Sequence, residues 1–422
     1  MIFPTSLLVL FLITSSYHLV LGETWAILIA SSYGYWNYRH QSDIFHAYQT
    51  LTRNGIKPSN IIVFAYDDIV NDPNNPFPGS VFNAPSNTTP YDVYKGIKID
   101  YKGKDVNPSN FLNVLKGNSS AGLTRVLNST NQDNVFIYFS DHGVSGGLMF
   151  PNSQYLWADQ LIETLQYMYK KNMYKKLVFY LEACKSGSIF QNRLSDNINV
   201  YAVTATNSVQ DSWGTYCPPF DYVNGSSIGT CLGDLFSVNW LLNADVEDLF
   251  VETLKTQYLV VKNATNMSQV MQFGNISIQN DIAGNFQAGP KKSMWFTRLS
   301  RETPSSGLPM NSRMAKYFFL KELAQKKPTE ANKALFEAEI QTMFWFDSVF
   351  EFLNHELNIK IENQDSNLDI NFECLREFVD IFGQVCRPFT EYGAQYVTNL
   401  NNFCSDNVSI PVFKAALRMI CS

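Results

Sequence analysis

Two residues in this chain are suited to covalent chemistry, a thiol and an imidazole, each delivered at the end of an apolar run. Leu177–Leu181 is β-branched, aromatic and apolar; it stops at Glu182 and gives way to a small-residue turn carrying Cys184, Ser186, Gly187 and Ser188. The stretch Val135–Gly143 has the same grammar, a strand followed by a polar turn that presents Asp141, His142 and Gly143. Cysteine attacks as the thiolate, and a nearby imidazole both helps to form it and protonates the leaving group. Cys184 and His142 therefore read as an acyl-transfer pair. Position alone fits a buried structural cysteine and a loop histidine equally well.

Cysteine arithmetic favours the first reading. Of seven cysteines, Cys374, Cys386, Cys404 and Cys421 cluster near the C-terminus, while Cys217 and Cys231 bracket a Pro/Gly-rich loop. Three disulfides in a secreted protein would leave Cys184 as the odd thiol, as a nucleophile must be. Their connectivity stays open at this level.

The elements that must bring the two turns together follow an alternating pattern. Trp25–Ala30 reads as a first strand running into an aromatic turn, Ser31–His40, with Asn37, Arg39 and His40 at its end, on the same crevice edge as Cys184. Gln41–Asn54 has helical spacing closed by Gly55, and His46 within it is structural. Ile61–Tyr66 is a second strand, and Asp67–Lys104 a surface loop whose acidic residues match no calcium-loop spacing. Ala158–Met173 and Asp245–Tyr258 are helix-like, and Val200–Ala205 is a further strand. Alternating β and α predicts a mostly parallel sheet with helices on both faces, and ligands bind at the carboxyl edge of such sheets.

With 422 residues, 45% of them hydrophobic, the chain can build a core and two domains. A net charge of −6 without a basic block argues against nucleic acid as a partner. Residues 1–22 read as a removable secretory signal, and no later segment is apolar and long enough to span a bilayer. Residues 23–279 form the compact part, 280–313 a basic, Gly- and Pro-punctuated linker suited to cleavage, and 314–422 a small helical, disulfide-stapled domain. Sequons at Asn87, Asn118, Asn128, Asn224, Asn263, Asn266, Asn275 and Asn407 fit a glycoprotein of the secretory route. No repeat, P-loop, HExxH or paired CxxC occurs, so no metal, nucleotide or other cofactor is indicated.

Taken in order, GYWNYRHQSD, IYFSDHG, FYLEACKSGS, NINVYAVTA and CLGDLFSVNW resemble the legumain family of cysteine proteases, the asparaginyl endopeptidases or vacuolar processing enzymes, and more closely its plant-type branch. The resemblance implies a caspase-like α/β/α sandwich followed by a helical prodomain. It assigns Cys184 as nucleophile, His142 as catalytic histidine and Asn37 as its support, with backbone N–H groups of Gly143 and Cys184 as the oxyanion hole. Arg39, His40, Glu182 and Asp234 would hold the asparagine preceding the scissile bond, and aspartate at acidic pH. Family connectivity implies Cys374 to Cys404 and Cys386 to Cys421. The prodomain would act as an intramolecular inhibitor released by acid, with self-cleavage at Asn311 in PMNSRMAKY. An acidic vacuole or lysosome-like compartment is the implied location, and peptides or proteins with exposed asparagine the substrates. The same thioester could serve a peptide ligase, and a scaffold kept only for binding is a third reading. The sequence departs from the family's adjacent serines at QDSW, where Asp211 precedes Ser212, and carries Lys185 where an acidic residue is common.

Overall fold

The computed structural model describes residues 22–86, 88, 90–289, 309–358 and 369–421. Residues 1–21 of the expected signal sequence, the sequon at Asn87 and residues 290–308 of the linker lie outside them. In chain order, the strands that position the site are β1 (Thr24–Ala30), β2 (Ile61–Phe64), β3 (Asn134–Ser140), β4 (Lys176–Glu182), β5 (Val200–Thr204), β6 (Trp213–Thr215), β7 (Gly233–Asp234), β8 (Met271–Gly274) and β9 (Met310–Asn311).

The central sheet has the order β8-β5-β4-β3-β1-β2; β1 to β5 are parallel, and β8 closes the edge antiparallel to β5. Side chains of a strand alternate between faces, so a sheet buried on both sides needs continuous apolar runs. Ala26, Leu28, Phe136, Tyr138, Val178 and Tyr180 meet the helix Tyr38–Arg53 on one face. Ile27, Ile29, Ile137, Phe139, Phe179 and Leu181 meet Ala158–Lys170 on the other. The chain steps outward from β1 to β2 and then returns to β3 on the other side of β1. That reversal opens a crevice at the carboxyl ends of β1 and β3.

Four sequence expectations need correction. The helix begins at Tyr38, so Arg39 and His40 stand in its first turn and not in a loop. The single helix expected over Asp245–Tyr258 is two, Leu235–Val246 and Leu254–Ala264, because Thr253 accepts a hydrogen bond from Thr256 N–H and starts a new one. The segment 67–104 is not merely a surface loop: it buries Ile69, Val81, Phe82 and Val93 in the core. The first unit stays packed past Ile278, since Gly284–Gln287 is helical and Gly289 N–H donates to Asn54 O at 3.0 Å.

The C-terminal unit comprises helices Ala315–Lys326, Glu330–Glu356, Phe372–Val385, Val397–Ser405 and Ile410–Cys421. Disulfides join Cys374 to Cys404 and Cys386 to Cys421, and a third joins Cys217 to Cys231 in the first unit. Its core of Phe346, Phe350, Phe378, Phe382 and Phe413 extends onto Val144, Met149 and Trp157 of the first unit. The helical cap is thereby seated on the residues that immediately follow His142.

Candidate active site

β3 and β4 pair in register from Asn134↔Lys176 to Ser140↔Glu182, and Asp141 N–H then donates to Glu182 O at 3.0 Å. The two turns leave from one rim. Contact is close enough that a Cβ on Gly143 would lie 2.1 Å from Cys184 O, which requires glycine there. β1 pairs with β3 up to Ala30↔Ser140, and the turn after β1 brings Asn37 to the same rim. Asn37 Oδ1 lies 2.8 Å from His142 Nε2, so Nε2 carries the proton and Nδ1 is left as the base; Nδ1 has no partner among the described residues. Asn37 stands at the N-cap of the helix but leaves its cap bond unmade, its side chain being spent on His142 and on Tyr33 O.

The thiol is fully buried. Ser212 N–H donates to Cys184 Sγ at 3.3 Å, and Ser212 Oγ lies 3.5 Å from it. Burial pushes the thiol up to about 11 against the pull of the nearby Arg313 cation. Burial likewise holds His142 well below the usual imidazole range, reinforced by Arg39 and Arg313. Both groups are neutral in this closed state, and the nucleophile is dormant.

Beside the thiol lies a buried charged pocket. Arg39 Nε donates to Asp234 Oδ1 at 2.9 Å, and Glu182 Oε2 accepts from Ser237 N–H and Oγ–H at 3.2 and 3.1 Å. Burial and the proximity of Asp234 drive Glu182 well above the ordinary carboxylate range; Asp43, beneath Asp234, is raised for the same reasons. Asp234 is raised by burial against the attraction of Arg39. His40 donates or accepts through Nδ1 at 2.7 Å from Ser32 Oγ, and burial, then Arg39, keeps it neutral. Asp141 shares a short hydrogen bond with Ser31 and is pushed up to about 8 by burial. Arg39 Nη2, Glu182 Oε1 and Asp234 Oδ2 are buried without a hydrogen-bond partner within the described protein. Ligand atoms of His40, Asp141 and His142 lie within 4.8 Å of one another, but Ser31 and Ser32 already engage two of the three.

A strand of the cap's own approach segment fills the cleft. β9 pairs antiparallel with β6, Met310 opposite Gly214 and Asn311 opposite Trp213. Ser312 N–H donates to Ser212 O at 3.1 Å, and Ser312 Oγ reaches Ser212 Oγ at 3.2 Å and Asp234 Oδ1 at 3.5 Å. Ser312 thus faces the charged pocket, and Asn311 does not: its amide donates to Asp211 Oδ2 at 3.3 Å. Arg313 follows, 3% exposed, with Nε on Asp211 Oδ1 at 2.8 Å, Nη2 on Gly143 O at 2.9 Å and Nη1 on Glu391 O at 3.3 Å. Glu391 also accepts from Trp36 Nε1 at 3.0 Å and from Asn37 Nδ2 at 3.3 Å.

Cys184, His142, Asn37, Gly143, Arg39, His40, Glu182, Ser212 and Asp234 come together on one rim, with Asp211 beside the thiol. Sequence reasoning missed Arg313, Ser312, Glu391 and Asp43. The available signal for Arg313 was its place two residues after Asn311, combined with a carboxylate at Asp211 that burial obliges to find a cation. Asn128, Asn224, Asn263, Asn266 and Asn407 are exposed, and Asn118 and Asn275 partly so.

A mostly parallel α/β sheet that presents a free thiol and an imidazole on one rim, covered by a disulfide-bonded helical cap, defines a cysteine hydrolase held closed by its own C-terminal region. The Peptidase C13 family model matches residues 24–289 and the model of the legumain prodomain residues 336–421, and the chain belongs to that family. It is therefore a cysteine endopeptidase of the zymogen type. The chain is 37% identical over 426 residues to the vacuolar-processing enzyme delta-isozyme of Arabidopsis thaliana, covering 95% of this chain and 91% of that protein. To legumain of Mus musculus it is 50% identical over 270 residues, covering 63% and 59% respectively. A caspase-1 structure from Spodoptera frugiperda aligns with TM-score 0.33 and 10% identity over 60% of this chain and 87% of that one.

Proposed function

We propose that the enzyme hydrolyses peptide bonds on the carboxyl side of asparagine, and of aspartate at acidic pH. The observation that carries this reading is a trio of buried atoms without a hydrogen bond among the described residues, a donor on Arg39 and acceptors on Glu182 and Asp234, the last with only His40 Nε2 near it at 3.6 Å. A carboxamide offers one accepting oxygen and a donating NH2, so it satisfies both kinds at once, whereas an apolar side chain leaves them stranded. A substrate aspartate would bring a further carboxyl beside Asp43, Glu182 and Asp234, whose carboxyls burial already drives toward the neutral form, so the same surroundings admit it once acid has protonated it.

In the reaction, His142 Nδ1 takes the thiol proton and Cys184 Sγ attacks the carbonyl carbon. The oxyanion is met by backbone N–H groups of Gly143 and Cys184. The C–N bond breaks as His142 returns the proton to the amine, leaving a thioester; water, deprotonated by the same imidazole, then releases the acid and the thiol. Asn37 holds the ring in the tautomer this sequence needs.

Latency follows from register. The closed cleft presents Ser312 and not Asn311 to the pocket, so the segment must shift by one residue before Asn311 can occupy it. The cap docks on the first unit through Asp159–Arg376 and through Glu391 with Trp36 and Asn37, and release of that docking by acid is what the family resemblance implies. We propose self-cleavage after Asn311 in an acidic vacuole or lysosome-like compartment reached by the secretory route, consistent with the relatives' name, the three disulfides and the exposed sequons. Acidification of the purified protein, followed by intact mass and a fluorogenic asparagine peptide, tests release, cleavage site and catalysis together. The reading expects a new C-terminus at Asn311 and activity on the asparagine peptide; an Asn311→Ala protein that matures with the same terminus overturns the processing site, and equal turnover of an alanine peptide overturns the specificity.

A further inference from the structure

We propose that Asp211 makes the uncapped enzyme select substrates with arginine or lysine immediately after the scissile bond. The cleft strand lies where a substrate strand would lie: Ser312 faces the pocket, its N–H is held by Ser212 O, and Ser212 N–H in turn contacts Cys184 Sγ. The chain turns in a short 3-10 helix at Ser312–Met314, and Arg313, the residue after the one at the pocket, lays its guanidinium against Asp211 beside the thiol. A basic side chain just past the scissile bond would have the same carboxylate to pair with. That position is built for a guanidinium, with Asp211 Oδ1 at 2.8 Å from Nε and Gly143 O at 2.9 Å from Nη2.

When Arg313 leaves, its ion-pair partner does not. Asp211 is fixed in the wall one residue before Ser212, and its side chain is only 23% exposed. Among the described residues the other cation acting on Asp211 is Lys185, buried, with its ammonium donating to Val209 O at 3.3 Å. Asp211 keeps its charge when the covering segment leaves, and an incoming basic side chain restores the ion pair and the second hydrogen bond to Gly143 O. The serine expected at this position from the family resemblance would carry no such charge. The same acceptor would favour a basic residue at the free amine end of any peptide that intercepts the thioester.

The inference rests on the proposed cleavage chemistry only in requiring that a peptide bond be cut at Cys184; it does not depend on which residue fills the pocket. Activated enzyme is therefore given an unbiased peptide library, and cut sites are read by mass spectrometry. The residue before the bond tests the asparagine reading, and the residue after it tests this one in the same data. A matched pair of peptides with arginine or its neutral isostere citrulline after the bond gives the charge effect in the unaltered enzyme. Expected are enrichment of Arg and Lys after the cut, a kcat/KM about tenfold or more higher for arginine than citrulline, and loss of that ratio in Asp211→Asn. A flat profile after the bond, equal rates for arginine and citrulline, or an undiminished ratio in Asp211→Asn overturns it.

Discussion

Replacing Arg313 with alanine should open the zymogen without acid. The substitution removes the ion pair to Asp211 and the hydrogen bonds to Gly143 O and Glu391 O. Breaking a buried pair by deleting one partner costs about 3–5 kcal/mol; because the Asp211 side chain keeps 23% of its exposure, screening brings this to about 2–3 kcal/mol. At about 1.4 kcal/mol per factor of ten, the cleft strand loses about 30- to 150-fold in occupancy relative to the open state. The assay is the rate of iodoacetamide alkylation of Cys184 in uncleaved protein at neutral pH, followed by intact mass. The sign is diagnostic. Arg313 pulls the thiol pKa down from where burial alone would put it, so deleting the cation in a still-closed site makes the thiol less reactive. Faster alkylation therefore reports opening of the cleft and not a change in the thiol's charge. An unchanged or slower rate would refute the claim that this arginine holds the cleft shut.

Three further outcomes follow from the same geometry. Burial raises Asp211, but Arg313 and Lys185 outweigh it and hold its pKa below the ordinary value. A depressed carboxylate stabilises above the unfolded value of about 3.9 and loses that contribution only as pH falls through its lower folded value. Acidification to about pH 5 should therefore leave this contact made, and Asp211→Asn should move cap release, followed by limited proteolysis of Cys184→Ala protein, to higher pH; superimposable pH profiles would count against it. Asn37→Ala frees the His142 ring and should lower kcat about 100-fold with little change in KM, and a kcat within twofold of the parent enzyme would remove Asn37 from its orienting role. Glu182→Ala should cost asparagine peptides about 1–3 kcal/mol in kcat/KM, while leaving a poor alanine substrate nearly unaffected; an unaltered substrate ranking would show that the pocket lies elsewhere.

The parallel core was legible because strands buried on both faces must be written as continuous apolar runs, and Leu177–Leu181 and Val135–Phe139 are such runs. The turns after them were legible because polar residues ending such a run have only the sheet rim to occupy. The helix start at Tyr38 was not, since the residue that would announce it, Asn37, makes no cap bond and serves His142 instead. Function there overrode the local signal. The long excursion hid its buried anchors Phe82 and Asn83 among turn residues; Asn83 bonds His46 and Asp43, contacts more than 35 residues apart in the chain. Arg313 and Glu391 escaped notice for the same reason: their partners lie on the other unit, and only the docked cap brings them to Asp211, Gly143, Trp36 and Asn37.

The most direct measurement is covalent labelling of acid-activated enzyme with peptidyl acyloxymethyl ketones ending in asparagine or alanine, with the modified residue located by peptide mapping. A single adduct on Cys184, formed far faster by the asparagine reagent and absent from the capped zymogen at neutral pH, is the expected result. Labelling at another residue, or equal labelling by both reagents, would contradict the assignment of the thiol and its pocket.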